Sequence, residues 1–177
     1  MAASSLAIRI AGARLRWLVP HLLRHYRRSW PAYAVFFLGI YVFQLHFTLG
    51  LNASPSVPYT LFLVHKGAPI ERGKLMAFRW NGAGPYPAGA TFVKYAAGLP
   101  GDRVTRQGLA YFVNGTPVGV AKTHTRQGRP LEPAETGVLP SDCYYAYATH
   151  PDSFDSRYRE VGCIQESRII GRAYAVF

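Results

Sequence analysis

A mostly β domain behind a single apolar helical segment is what this sequence predicts, and three observations carry the prediction. Short apolar runs rich in Tyr, Phe and Val recur with Gly and Pro between them, the pattern of strands joined by turns. One stretch of twenty residues without Lys, Arg, Asp or Glu, Ala32–Leu51, precedes nearly all of them. Every charged side chain before that stretch is an arginine.

The N-terminal elements follow from charge and length. Residues 1–30 carry Arg9, Arg14, Arg16, Arg24, Arg27 and Arg28 and no acid, so they hold about half of the formal net charge of +11. Residues 5–26 mix these arginines with Leu, Ile, Val and Trp at loosely helical spacing. That suits an amphipathic helix lying on a membrane surface, which Pro20 is expected to interrupt. At about 1.5 Å per residue the apolar stretch spans roughly 30 Å, one hydrocarbon core. Trp30 and Pro31 stand where an interfacial anchor and a helix start belong. Gln44 and His46 weaken its outer half, and a buried core helix is the alternative. Arginine flanks on one side only favour a membrane anchor with a cytoplasmic N-terminus. Leu51-Asn52-Ala53 is a poor site for removing a leader. The expected organisation is a basic cytoplasmic segment over 1–30, a transmembrane anchor over 31–51 and an extracytoplasmic domain over 52–177.

Beyond Asn52 strands are expected at Tyr59–His65, Leu75–Trp80, Thr91–Ala97, Tyr111–Val113, Val118–Val120, Cys143–Thr149 and Ile169–Phe177. Asn114-Gly115 between two of them favours a type I′ hairpin turn. Many short strands with turn signals and no helical period point to a β-barrel or β-sandwich. The positive charge of this part is dispersed, which argues against nucleic acid as a partner. No phosphate-cradling glycine loop or dinucleotide fingerprint is present, and Cys143, Cys163, His124 and His150 lack a standard zinc spacing. No cofactor and no metal are expected.

Three stretches offer chemistry. Ser54-Pro55-Ser56-Val57-Pro58 reads either as a rigid linker or as a nucleophile held still by prolines. In Thr91–Ala97, alternation puts Phe92, Lys94 and Ala96 on one strand face. A lysine there either reaches out to water or, if the face is buried, loses its proton and becomes a general base. Leu99-Pro100-Gly101-Asp102 then reads as a type II turn. In His150–Arg157, Asp155 and Arg157 suit a surface ion pair, while His150 invites a Ser-His-Asp reading that only geometry can decide.

Taken together, the Ser-x-Pro after the apolar segment, "VKYAAGLPGD" and "SFDSR" resemble the signal peptidase I superfamily, serine peptidase family S26. The likeness is strongest to its conjugative-transfer branch, the TraF-type peptidases that process pilin. It covers residues 52–177 and the preceding anchor. It implies a signal-peptidase-like β catalytic domain behind one transmembrane helix, in a bacterial inner membrane with the domain in the periplasm. By that resemblance Ser56 is the nucleophile, Lys94 its base and Ser54 an oxyanion donor. Ser153 orients the lysine, and Asp155 and Arg157 support that corner. Phe92 and Val93 lie on the edge expected to bind substrate as an added strand.

The departures are specific. Val57 replaces the methionine that usually follows the nucleophile, which favours the Ser-x-Pro branch. Tyr95 replaces the arginine that usually follows the lysine, and Ala148-Thr149-His150-Pro151 replaces Gly-Asp-Asn. The implied partners are membrane lipid and an exported protein, a pilin precursor or a protein bearing a signal peptide. The implied activity is endopeptidase cleavage with a Ser-Lys dyad, with cyclisation of the product open. A general type I signal peptidase and an inactive component of a conjugation apparatus are the alternatives. Cys143 and Cys163, expected on the oxidising side, suit either one disulfide or two buried thiols.

Overall fold

The computed structural model describes residues 2–51, 56–82 and 86–176, with side chains from residue 19 onward. The chain divides into two compact units, residues 1–45 and residues 46–177.

The first unit is one helix, α1, Ala2–His46. It runs through Pro20 and Pro31, so the expected interruption at Pro20 does not occur. Proline removes one intrahelical hydrogen bond and crowds the preceding turn, and the remaining ladder of so long a helix carries the loss. Over its last turns the apolar side chains are exposed on every face, including Val35, Phe37, Leu38, Tyr41 and Phe43. Among the described residues no helix is long and apolar enough to cross a membrane. The expected span ran to Leu51, but the helix stops at His46. Ala32–His46 covers only about 22 Å at the helical rise.

Residues 47–51 instead open the second unit as β1, Phe47–Leu51, paired antiparallel with β2, Leu61–Lys66. The remaining strands are β3 (Leu75–Arg79), β4 (Thr91–Gly98), β5 (Arg103–Gln107), β6 (Ala110–Val113), β7 (Thr116–Val120), β8 (Gly137–Val138), β9 (Cys143–Tyr147), β10 (Ile164–Gln165) and β11 (Ile169–Ala175). They form a seven-stranded sheet ordered β1-β2-β11-β3-β4-β9-β10 and a four-stranded sheet ordered β7-β6-β5-β8. All the pairings are antiparallel. The mostly β architecture agrees with the strand pattern in the sequence. β1, β5, β8 and β10 were not among the expected strands.

Alternation explains how the sheets bury their apolar surface. Within β3, Met76 and Phe78 enter the larger core, together with Val104, Tyr111, Val113 and Val118 of the four-stranded sheet. Leu75 and Ala77 enter a second core with Phe62, Val64 and Ala173. β3 is therefore covered on both faces, and its near-continuous apolar run reflects that. Two turns follow their sequence signals. Asn114 (φ 47°) and Gly115 (φ 79°) make the β6–β7 hairpin turn, where both central residues need positive φ. Gly101 (φ 84°) closes Leu99–Asp102, with the Asp102 N–H donating to the Leu99 carbonyl at 3.0 Å.

Candidate active site

Lys94 sits opposite Met76 across the β3–β4 ladder, so its side chain starts from the face that packs on the larger core. Phe92 and Ala96 share that face with it. Lys94 is 4 % exposed. Loss of water is the main cause that brings its amine down to about 8; the Asp155 carboxylate opposes the shift and the Arg157 guanidinium adds to it. The amine donates to Ser153 Oγ at 2.7 Å. Ser153 is itself buried, and so is Ser56. Ser56, Lys94 and Ser153 line one cavity of about 680 Å³.

The support beneath Ser153 is a buried ion pair. Arg157 Nε and Nη2 donate to the two oxygens of Asp155 at 2.8 and 2.9 Å. Asp155 also accepts from the backbone N–H of Ala148, while Arg157 donates to the carbonyls of Val120 and Ser153. Its guanidinium lies over the rings of Tyr147 and Tyr158. Asp155 is 0 % and Arg157 2 % exposed, so the surface pair that sequence alone suggests is a buried one. Such a pair contributes little net stability as a unit, but removing one partner strands the other charge. Ser156 ties this turn to β9, exchanging hydrogen bonds with the backbone of Ala146. The disulfide between Cys143 and Cys163 encloses the same segment, and both cysteines are thereby unavailable to a metal.

Phe92 and Val93 line the cavity too. Phe92 stacks on Trp80 at 4.8 Å and meets Tyr86 edge-on at 5.0 Å, which makes that wall aromatic. β3 pairs with Thr91–Tyr95, whereas β9 pairs with β4 only from Tyr95 onward. Thr91–Lys94 therefore have a ladder partner on one side. Ser54 lies outside the described residues.

The Leu99–Asp102 turn closes the far end of β4 with a second charged cluster. Asp102 is held at about 2, chiefly by side-chain hydrogen bonding from Arg72, with the Leu99 N–H and Asn114 helping against the cost of burial.

The cavity has one wall that sequence reading did not assign. Lys122, Arg126 and Arg129 all line it; the first two pair with Asp152 and Arg129 with Glu160. Asp152 is held at about 2 by hydrogen bonds from Lys122 and then Arg126. The signal was three cations within residues 122–129, which the low average charge density of the domain concealed. His150 also borders the cavity, where its Nδ1 accepts from the Asp152 N–H at 3.2 Å.

Three known proteins or families are similar to this chain. The family described as "Signal peptidase, peptidase S26" matches residues 24–177. A "Probable conjugal transfer protein TraF" of Sinorhizobium fredii (strain NBRC 101917 / NGR234) is 35 % identical over 144 residues, which cover 71 % of this chain and 75 % of the relative. A crystal structure of a signal peptidase I from Enterococcus faecalis V583 superposes with a TM-score of 0.41 at 22 % identity, covering 59 % of this chain and 96 % of that one.

Proposed function

We propose a function from one premise: the chain belongs to the signal peptidase family, peptidase S26. It is a serine endopeptidase in which Ser56 attacks a peptide carbonyl and Lys94 is the general base. The observation that carries this reading is the burial of Lys94. An amine brought to about 8 is part neutral at physiological pH and can accept the Ser56 proton, whereas one at its ordinary value cannot. Ser153 holds that amine in place through its 2.7 Å hydrogen bond.

The steps follow from the groups present. Ser56 Oγ bonds to the substrate carbonyl carbon while its proton passes to Lys94 Nζ. The resulting oxyanion is met by the Ser56 N–H and, by the family resemblance, the Ser54 hydroxyl. Losing one such donor costs about 10²–10³ in rate. Lys94 returns the proton to the departing amine, leaving an acyl-enzyme. Water, deprotonated by the same lysine, then releases the acyl product; a substrate amine in its place would close a ring. Substrate lies as an added strand along Thr91–Lys94, against Phe92 and Val93.

The substrate is an exported protein, and the relative's name, a conjugal transfer protein, favours a pilin precursor. The exposed apolar side chains around the end of α1 suit lipid contact, because a helix apolar on all sides is either buried in protein or in a bilayer. The enzyme is thus held at the inner membrane with its β unit in the periplasm. The test is mass spectrometry of exported proteins from cells carrying the wild-type, Ser56→Ala or Lys94→Ala chain. Each variant should accumulate an uncut precursor, one pilin for the dedicated reading and many proteins for a general signal peptidase. Normal processing by either variant would end the proposal.

A further inference from the structure

The segment joining β7 to β8 lines the cavity that holds Ser56 and Lys94 as a braced loop. His124 and Pro130 form an isolated bridge, and the Thr125 N–H donates to the Arg129 carbonyl at 2.8 Å. Ala121 and Leu131 are buried at its two ends and fix it to the larger core. The loop presents Lys122, Arg126 and Arg129 to the cavity, and Asp152 is the carboxylate among the described lining residues. Asp152 adjoins Ser153, which grips the Lys94 amine, so the loop cations stand within a few residues' reach of the scissile bond.

The charges do not cancel. Asp152 neutralises one cation of the Lys122–Arg126 pair, and Glu160 partners Arg129 at 3.3 Å. One positive charge is left over at the mouth of the cavity. Arg126 uses Nε and Nη2 on a single oxygen of Asp152, so the Nη1 side of its fork is not turned to that carboxylate. The side chains of Lys122 and Arg126 are 47 % and 65 % exposed, within reach of a ligand and without the desolvation cost that a buried cation would carry. A planar guanidinium with a free edge suits a second carboxylate.

We propose that the Lys122–Arg126 loop is a carboxylate-reading subsite that selects substrates with an acidic group a few residues from the bond cut. This rests on the cavity being the peptidase site proposed above. The acid comes either from an Asp or Glu side chain or from a free chain end. Asp152 keeps the two cations side by side and is not the acid they are there to read.

The experiment uses the full chain in detergent micelles and short alanine-rich peptides. A single Glu, with Gln as its control, is walked through each position on either side of the scissile bond, with the C-terminus free or amidated. Binding is measured on the Ser56→Ala chain and cleavage on the wild type. Glu over Gln at one position should tighten binding about three- to tenfold, and the contrast should shrink as salt is raised. If the gain tracks the free C-terminus instead, the acid is the chain end. The ratio should fall towards one in Lys122→Gln/Arg126→Gln. It should invert in favour of Lys-bearing peptides in Lys122→Glu/Arg126→Glu, a swap that a misfolded protein cannot produce. Equal binding of Glu and Gln peptides everywhere together with no gain from a free C-terminus, or a preference undiminished in both double variants, overturns the inference. Carboxylate-selective binding with no cleavage of any peptide by the wild type would instead overturn the peptidase reading and leave the subsite standing.

Discussion

Lys94 and Lys122 line the same cavity, but water reaches them differently. The Lys94 amine is enclosed by the core face of β4 and holds to a serine hydroxyl, whereas half of the Lys122 side chain is in solvent beside a carboxylate. Burial disfavours the charged form of an amine, and a carboxylate partner favours it. In the proposed reading, one cavity therefore holds a proton acceptor on its floor and a charge-reading cation at its rim. The lesson is that placement within a single pocket, and not residue type, separates acid–base chemistry from charge recognition.

The largest way to break this contrast is to disturb the corner beneath Lys94. Asp155→Ala leaves the Arg157 charge buried without its partner, which should cost about 3–5 kcal/mol of stability, read as a fall in Cm of urea unfolding. Asp155→Asn keeps the volume and should cost less. The Asp155 carboxylate raises the Lys94 pKa against the pull of burial, so the folded Asn variant should show its acid limb of activity below pH 8. An acid limb that stays at pH 8 would mean that Asp155 does not act on the amine.

The next test asks what burying the amine costs the fold. The folded-state pKa of Lys94 is about 8 against 10.5 for the free side chain. Below pH 8 the amine is protonated in both states, and the folded chain bears the full penalty. Between pH 8 and 10.5 the unfolded chain binds more protons, so stability rises with pH until the penalty is gone. Lys94→Met removes the charge, keeps much of the volume and loses one hydrogen bond. At pH 7 it should therefore be more stable than wild type by about 1–2 kcal/mol while inactive. The gap should close as pH approaches 10.5. A Lys94→Met chain less stable than wild type at pH 7 would show that the amine sits in a wetter place than its 4 % exposure implies.

These contrasts were unequally legible in the sequence. The face shared by Phe92, Lys94 and Ala96 was readable because strand alternation is local, and so were Asn114-Gly115 and Leu99–Asp102 because turns depend on the residues that make them. Phe47–Leu51 was assigned to a membrane helix because an apolar run does not reveal its partner. Only the pairing with Leu61–His65 makes it a strand. Asp155 and Arg157 looked like a surface pair because their burial comes from Tyr147, Tyr158 and the Val120 carbonyl, which the chain brings from other elements. The Lys122–Arg129 cations read as dispersed charge until the fold set them around one cavity.

The smallest expected effect is the sharpest test of the division between the two lysines. If neutral Lys94 is the base, kcat/KM should climb about tenfold per pH unit below pH 8 and level off above it, following one proton. The shift of that amine is caused by burial, Asp155 and Arg157, and none of the loop cations is among its causes. Lys122→Gln should therefore leave the midpoint of the limb within about 0.3 unit of wild type, as expected for a solvent-screened charge. It should still alter the ratio between acidic and neutral peptides. A midpoint that rises by a full unit on losing the Lys122 charge would mean that the rim acts electrostatically on the floor of the cavity, and the separation of their roles would fail.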